Sequence, residues 1–81
     1  MENRVAIIGI IVEEYNAAME VNTLLHEFGE YVIGRMGIPY RERKISMICV
    51  MLDAPNDIIS ALSGKLGMIR GVSSKTLYSK T

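Results

Sequence analysis

The stretch from Lys44 to Asp53, KISMICVMLD, is apolar on both of the faces that alternate along a β-strand. A strand with this pattern is buried from above and from below, which is typical of the centre of a sheet. The run from Arg4 to Val12, RVAIIGIIV, is rich in β-branched residues and predicts a second strand of the same kind. Gly9, inside this run, indicates the close approach of a neighbour.

The apolar period lengthens to that of a helix in two places. Residues 16–28 predict a first helix, with Asn16 as its N-cap and Gly29 as its stop. The turn DAPND at residues 53–57 precedes a second helix that Asp53 or Asn56 would cap. Gly64 lies inside this second helix and predicts a tight contact between helix and sheet. The buried stripe of the second helix is expected to comprise Ile58, Ile59, Leu62, Leu66 and Ile69.

Two further segments predict edge strands. Tyr31 to Tyr40 contains two glycines and Pro39, which favours an edge strand kinked near the proline, and Val72 to Tyr78 is more polar. The order strand, helix, strand, strand, helix, strand predicts an α+β, ferredoxin-like βαββαβ sandwich. We expect residues 1–81 to form one domain, a four-stranded antiparallel sheet with both helices on one face and the first and third strands in the middle.

The helices of so short a chain cover one side of the sheet and leave the other side open. On that side the third strand would present Ile45, Met47, Cys49 and Met51, a patch too apolar for water on a monomer. We therefore expect a homo-oligomer, a dimer or a tetramer, formed through this patch or by pairing of edge strands.

Composition and charge narrow the class of protein. The single cysteine excludes an internal disulfide and suits a reducing cytoplasm. The longest apolar run is far shorter than a membrane span needs, and the start MENR lacks a signal-peptide pattern, so a cytoplasmic protein without membrane contact is expected. Residues 1–34 hold six Glu against Arg4, whereas residues 35–81 hold eight Lys or Arg against three acids. Because the net charge is zero, direct nucleic-acid binding by this chain alone is disfavoured.

Candidate chemistry is sparse. One His and one Cys, far apart in sequence, predict neither a metal site nor a catalytic set, so no cofactor and no enzymatic activity are expected. The basic group around the predicted hairpin comprises Arg35, Arg41, Arg43 and Lys44. It is either an ordinary charged hairpin or a grip for the carboxylate or phosphate of a small effector. The candidate ligand-binding residues are Arg35, Arg41 and His26.

Three motifs resemble a small bacterial family of regulators of the iron-only hydrogenase system. They are RxGxPxRE at residues 35–42, ALSGKLGxIxGVxxKT at residues 61–76 and VNxLLHxF at residues 21–28. The resemblance implies a ferredoxin-like fold similar to ACT domains and to the effector domain of the nickel-responsive regulator, and it implies oligomers.

The departures from those relatives are also informative. The strand positions that bind nickel in the nickel-responsive regulator correspond here to Gly37, Pro39 and Ile45, whose side chains cannot bind a metal. The junction after the first strand reads EEYNAA and lacks the glycine of amino-acid-binding ACT domains. No DNA-binding segment is expected ahead of the domain.

The sequence therefore predicts a regulatory or ligand-sensing domain, a transcriptional regulator of the iron-only hydrogenase system that acts as a homo-oligomer with a small-molecule effector. The alternative is a protein-interaction and oligomerisation module without an effector. A third class, an enzyme built on the same scaffold, remains open because a fold does not fix a function.

Overall fold

A computed structural model of the chain describes residues 2–80. Its elements are strand β1 (Asn3–Val12), helix α1 (Ala17–Glu27), a short 3-10 turn (Gly29–Tyr31), strands β2 (Val32–Tyr40) and β3 (Ile45–Pro55), helix α2 (Asn56–Gly67) and strand β4 (Val72–Tyr78). The predicted βαββαβ order is confirmed, and every predicted element is present.

The four strands form one antiparallel sheet in the order β2-β3-β1-β4. The two apolar strands are central, as the sequence predicts. β1 pairs with β3 along the whole of its length, from Asn3 opposite Pro55 to Val12 opposite Ser46. This long pairing fixes which residues share each face of the sheet.

The core lies between the helices and one face of the sheet. β1 contributes four buried residues and β3 another four, and the inward stripes of α1 and α2 close over them. Burial of each larger side chain stabilises the fold by about 1.5–3 kcal/mol. The buried residues are Ala6, Ile8, Ile10, Val12, Ala17, Val21, Leu24, Leu25, Ile48, Val50, Leu52, Ala54, Ile59, Leu62 and Leu66.

The ends of the helices agree with the prediction in position for α1 and differ for the start of α2. Asn16 occupies the N-cap position of α1, but its side chain makes no capping hydrogen bond. Helix α1 ends at Glu27 with Phe28 as its C-cap, so Gly29 takes the predicted C′ position, where the chain continues into the 3-10 turn without a positive φ. The N-cap of α2 is Pro55, and Asp53 lies on β3. In the first turn of α2, Asp57 Oδ1 accepts a hydrogen bond from the Ile58 amide at 3.0 Å.

Two further predictions were wrong: a kink of β2 near Pro39 and a tight helix–sheet contact at Gly64. The irregularity of β2 is a bulge between Val32 and Gly34, and Pro39 pairs regularly with Ser46. An edge strand tolerates that proline because no partner strand needs its missing amide. Gly64 is exposed and has nothing within 4 Å of the position that a Cβ would take, so no tight helix–sheet contact explains it.

Candidate functional site

The sheet surface opposite the helices, here called the open face, is mostly apolar. It carries the alternate residues of all four strands, and the pairing register places them in rows across the sheet. The predicted interface residues Ile45, Met47, Cys49 and Met51 all lie on it; Met47 is 39% exposed and the other three are half-buried. The sequence reading had not included the remaining apolar members, which are exposed: Val5, Ile7, Ile11, Met36, Ile38, Tyr40 and Leu77.

A cavity of about 440 Å³ lies at one end of the sheet, here called the hairpin cavity. The start of α1 forms one side and the β2–β3 hairpin forms the other. Its apolar lining includes Val12, Ala18 and Ile45, and its charged lining includes Arg41 and Lys44. The full lining is Val12, Glu14, Tyr15, Ala18, Pro39, Tyr40, Arg41, Lys44, Ile45 and Ser46.

The hairpin turn that supplies the two cations is held by its own backbone. The Arg43 amide donates to the Tyr40 carbonyl at 3.3 Å and the Lys44 amide donates to the Arg41 carbonyl at 3.2 Å. Lys44 has a φ of 56°, the left-handed conformation that closes the turn. Tyr40 Oη donates to Glu42 Oε2 at 3.4 Å, a long contact between two exposed side chains.

The opposite wall is fixed by the turn between α2 and β4. The Glu13 amide donates to the Gly71 carbonyl at 2.7 Å, and Arg70 Nε lies 3.5 Å from Glu14 Oε1. Gly71 has a φ of +81°, and a Cβ there would lie 2.5 Å from Glu14 Cγ. Only glycine fits this position without displacing Glu14, so Gly71 keeps that side chain at the cavity wall.

The charges of the hairpin cavity favour an anion. Arg41 and Lys44 are exposed and lack an ion pair among the described residues, whereas Glu14 is paired with Arg70. Guanidinium and ammonium groups both bind carboxylate and phosphate oxygens. Tyr15, which is 94% exposed, and Tyr40 offer aromatic surfaces next to these cations. The lining therefore matches a small anion that carries an apolar or planar part.

The three predicted ligand residues do not converge on one site. Arg41 lines the hairpin cavity. Arg35 lies on the helix side of β2, where its Nη2 donates to Asn22 Oδ1 of α1 at 2.5 Å. His26 is exposed one turn further along α1 and lines a shallow depression beside Asn22. The structure therefore places Arg41 and Lys44 at one cavity, and it does not bring Arg35 and His26 there.

The sequence reading did not identify Tyr15 and Tyr40 as residues of the site. Tyr15 lies in the irregular junction between β1 and α1, where no periodicity predicts the direction of a side chain. Tyr40 ends an edge strand whose alternation is weak. The only available signal was an aromatic residue directly beside a basic turn, in the sequence YRERK at residues 40–44.

Other kinds of site receive no support from the described residues. Within residues 2–80, no three His, Cys, Asp or Glu side chains gather as metal ligands would. None of the helices in this range is long and apolar enough to cross a membrane. A larger groove of about 580 Å³ runs between α1 and α2, but it is wide open and its charged residues, Glu20, Glu27 and Lys65, are of mixed sign.

Comparison with known families and structures adds a second line of evidence. Residues 4–76 match the model of the TM1266-like family, described as "Iron-only hydrogenase system regulator, putative". No curated protein matches the chain in sequence. The matched range includes both walls of the hairpin cavity and most of the open face, but not Leu77.

Solved structures match the fold over nearly the whole chain. The TM1266 protein of Thermotoga maritima is 45% identical, with a TM-score of 0.93 over 98% of this chain and 100% of that one. The ACT domain of the GTP pyrophosphokinase of Chlorobium tepidum is 20% identical, with a TM-score of 0.79 over 93% and 99%. The divalent ion tolerance protein CutA1 of Ehrlichia chaffeensis is 14% identical, with a TM-score of 0.54 over 100% and 86%. The last two matches show similarity of fold alone. The chain has the fold of the ACT domain among them.

Proposed function

Since the chain belongs to the TM1266-like family, we propose that it is a non-enzymatic regulatory domain that senses a small anion in the hairpin cavity. It works as a homo-oligomer in the cytoplasm and regulates the iron-only hydrogenase system. Regulation of transcription would require a separate DNA-binding partner, because the chain itself carries no net basic footprint.

The observation that carries the proposal is the pair of cations at the cavity. Arg41 and Lys44 lie on one short turn at the edge of a half-open, mainly apolar cavity, next to Tyr15 and Tyr40. Two neighbouring cations without ion-pair partners do not stabilise the fold. Beside aromatic surfaces they are well suited to bind an anion. The wall opposite is tied to the α2–β4 turn through Glu13 and Gly71, so occupancy of the cavity can be transmitted to both layers of the fold.

The experiment is a calorimetric titration with two simple probes, inorganic phosphate and benzoate. Phosphate tests the cations alone, and benzoate adds a ring that can lie against Tyr15 and Tyr40. Arg41→Ala removes a charge-assisted hydrogen bond, which stabilises by about 1.5–3 kcal/mol, so the Kd should rise roughly ten- to hundredfold. Lys44→Gln should have a smaller effect in the same direction, because a Lys bond is less directional.

The matched control is Arg43→Ala. Arg43 belongs to the same turn and carries the same charge, but it does not line the cavity. Its removal should leave the Kd within about twofold. Equal losses in Arg41→Ala and Arg43→Ala would mean that the probes respond to general surface charge, and no binding of either probe would refute this anion site.

The second candidate function is a protein-interaction module without an effector. The breadth of the apolar open face favours it, because such a surface needs a partner rather than a ligand. Native mass spectrometry of protein purified from its own cytoplasm separates the two functions. A bound small molecule supports the sensor. An oligomer that carries no small molecule and binds neither phosphate nor benzoate supports the interaction module.

A further inference from the structure

The open face carries two charged side chains among its described residues, and they have opposite signs. Asp53 lies on β3 and pairs with Val5, and Lys75 lies on β4 and pairs with Gly9. Both are exposed. From the spacing of strands and of residues along a strand, the two charges are about 16 Å apart on a diagonal across the sheet. The surface between them is apolar.

The midpoint of this diagonal is set by the register. One strand separates β3 from β4, and that strand is β1. Ile7 of β1 pairs with Met51 on one side and with Leu77 on the other, in the row halfway between those of Asp53 and Lys75. The centre of the charge pair is therefore Ile7, which is 40% exposed and surrounded by apolar side chains.

Such an arrangement is self-complementary. A two-fold axis that lies parallel to the sheet, crosses over Ile7 and runs perpendicular to the diagonal brings Asp53 of each copy opposite Lys75 of the other. In an isologous interface a contact between two positions occurs twice, so one acid and one base supply two ion pairs. The strands of the two sheets would cross at roughly 70°, closer to the orthogonal class of sheet packing than to the aligned class.

Gly9 gives an independent reason to place a second chain here. A glycine weakens the middle of a strand by about 0.5–1 kcal/mol relative to alanine. Nothing lies within 4 Å of the position that a Cβ would take at Gly9, so the packing of a single chain does not require glycine. In the two-fold arrangement, Met51 of the second copy is placed over the space above Gly9, and a flexible methionine suits such a gap.

The size of the open face also suits a second copy. Four strands about 4.8 Å apart and seven or more residues long cover about 500 Å² in projection, or on the order of 1,000 Å² for two copies. This reaches the lower limit of a specific protein interface. The same surface left in water would be unusually apolar for a monomer.

We propose that two copies of this chain stack open face to open face about a two-fold axis over Ile7, with reciprocal Asp53–Lys75 ion pairs fixing their register. The proposal rests on the homo-oligomer of the proposed function and specifies its interface. It can be tested separately from the hairpin cavity, because Asp53 and Lys75 do not line that cavity, although Tyr40 and Ile45 belong to both surfaces.

Charge reversal tests the pairing. Asp53→Lys brings two pairs of lysines together, Lys75→Asp brings two pairs of aspartates together, and each should raise the dimer Kd at least tenfold because like charges then face each other. An equimolar mixture of the two variants restores both ion pairs in a heterodimer. Native mass spectrometry distinguishes the three dimers by mass and should show the heterodimer as the main species, with a Kd within about threefold of the wild type.

Matched controls change the same charges away from the open face. Glu30→Lys and Arg43→Asp alter net charge as strongly, and both residues are exposed outside the sheet surface. They should leave the dimer intact and should show no preference for a heterodimer when mixed. Circular dichroism confirms that each variant is folded before its assembly is measured.

Several results would overturn the proposal. A monomeric wild type would remove the interface, and single variants that assemble like the wild type would show that another surface, such as a strand edge, holds the copies together. Variants that dissociate but do not pair when mixed would exclude the reciprocal arrangement. In each of these cases the titration of the hairpin cavity still tests the sensing function separately.

Discussion

Gly71 is the residue at which backbone conformation and the candidate site are most directly linked. Gly71→Ala would place a methyl group 2.5 Å from Glu14 Cγ in a backbone that already has a φ of +81°. We expect the free energy of unfolding to fall by about 1–3 kcal/mol, from left-handed strain and displacement of Glu14. Urea denaturation at a fixed protein concentration measures the loss, because assembly also affects apparent stability.

The control for this substitution is Gly64→Ala. Gly64 lies within α2, is exposed and meets nothing within 4 Å, so alanine there should raise the free energy of unfolding by about 0.5–1 kcal/mol. The same chemical change is thus expected to have opposite signs at two glycines. A stabilising Gly71→Ala would show that the α2–β4 turn does not hold Glu14 as described.

At the scale of single elements, the two faces of the sheet should respond very differently to truncation. Leu62 of α2 is fully buried against the sheet, whereas Leu77 of β4 is 69% exposed on the open face. Leu62→Ala should lower the free energy of unfolding by about 2–5 kcal/mol, through lost transfer free energy and a residual cavity. Leu77→Ala should change the stability of the monomer by less than about 1 kcal/mol. Thermal unfolding at low concentration measures both.

A large loss for Leu77→Ala at low concentration would contradict the placement of that residue outside the core. If the loss appears only at high concentration, it belongs to the assembly, since Leu77 lies beside Ile7 in the register. Leu62→Ala and Leu77→Ala together therefore separate the stability of the single chain from the stability of the assembly.

The elements were predictable because their periods are clear. β3 alternates apolar residues on both faces and α2 repeats them at helical spacing, so both were recognised from sequence. The direction of single residues was less predictable. In β1 the residues Ile7 and Ile8 are chemically identical, yet Ile7 is exposed and Ile8 is buried. The face on which the helices pack decides which of the two is buried. Likewise, only the folded structure shows that Arg35 of β2 lies on the helix side, within reach of Asn22.

The candidate site was half predictable for the same reason. Arg41 and Lys44 could be predicted to lie together because charges cluster in a short turn, and turns are recognisable from composition. Their neighbours across the cavity come from the β1–α1 junction, which follows no period. The distance between these two loops depends on the length of β1 and β3 and on their register, so the cavity between them could not be predicted from either loop alone.

At the scale of the whole molecule, the sheet has one face that the chain completes and one that it leaves open. Gly9 lies on the open face, where a Cβ would meet no atom of the same chain within 4 Å and where valine would improve strand propensity. We therefore expect Gly9→Val to keep or raise the stability of the isolated chain. In an assembled pair the same side chain would fill the space over Gly9 and prevent close approach, so the dimer should weaken at least tenfold in sedimentation experiments. The dimer Kd of Gly9→Ala should lie between those of the wild type and Gly9→Val, because the side chain of alanine is smaller than that of valine.

Opposite effects on the stability of the chain and on its assembly would show that Gly9 serves the interface. Unchanged assembly in both variants would instead assign the contact between copies to the edges of β2 or β4.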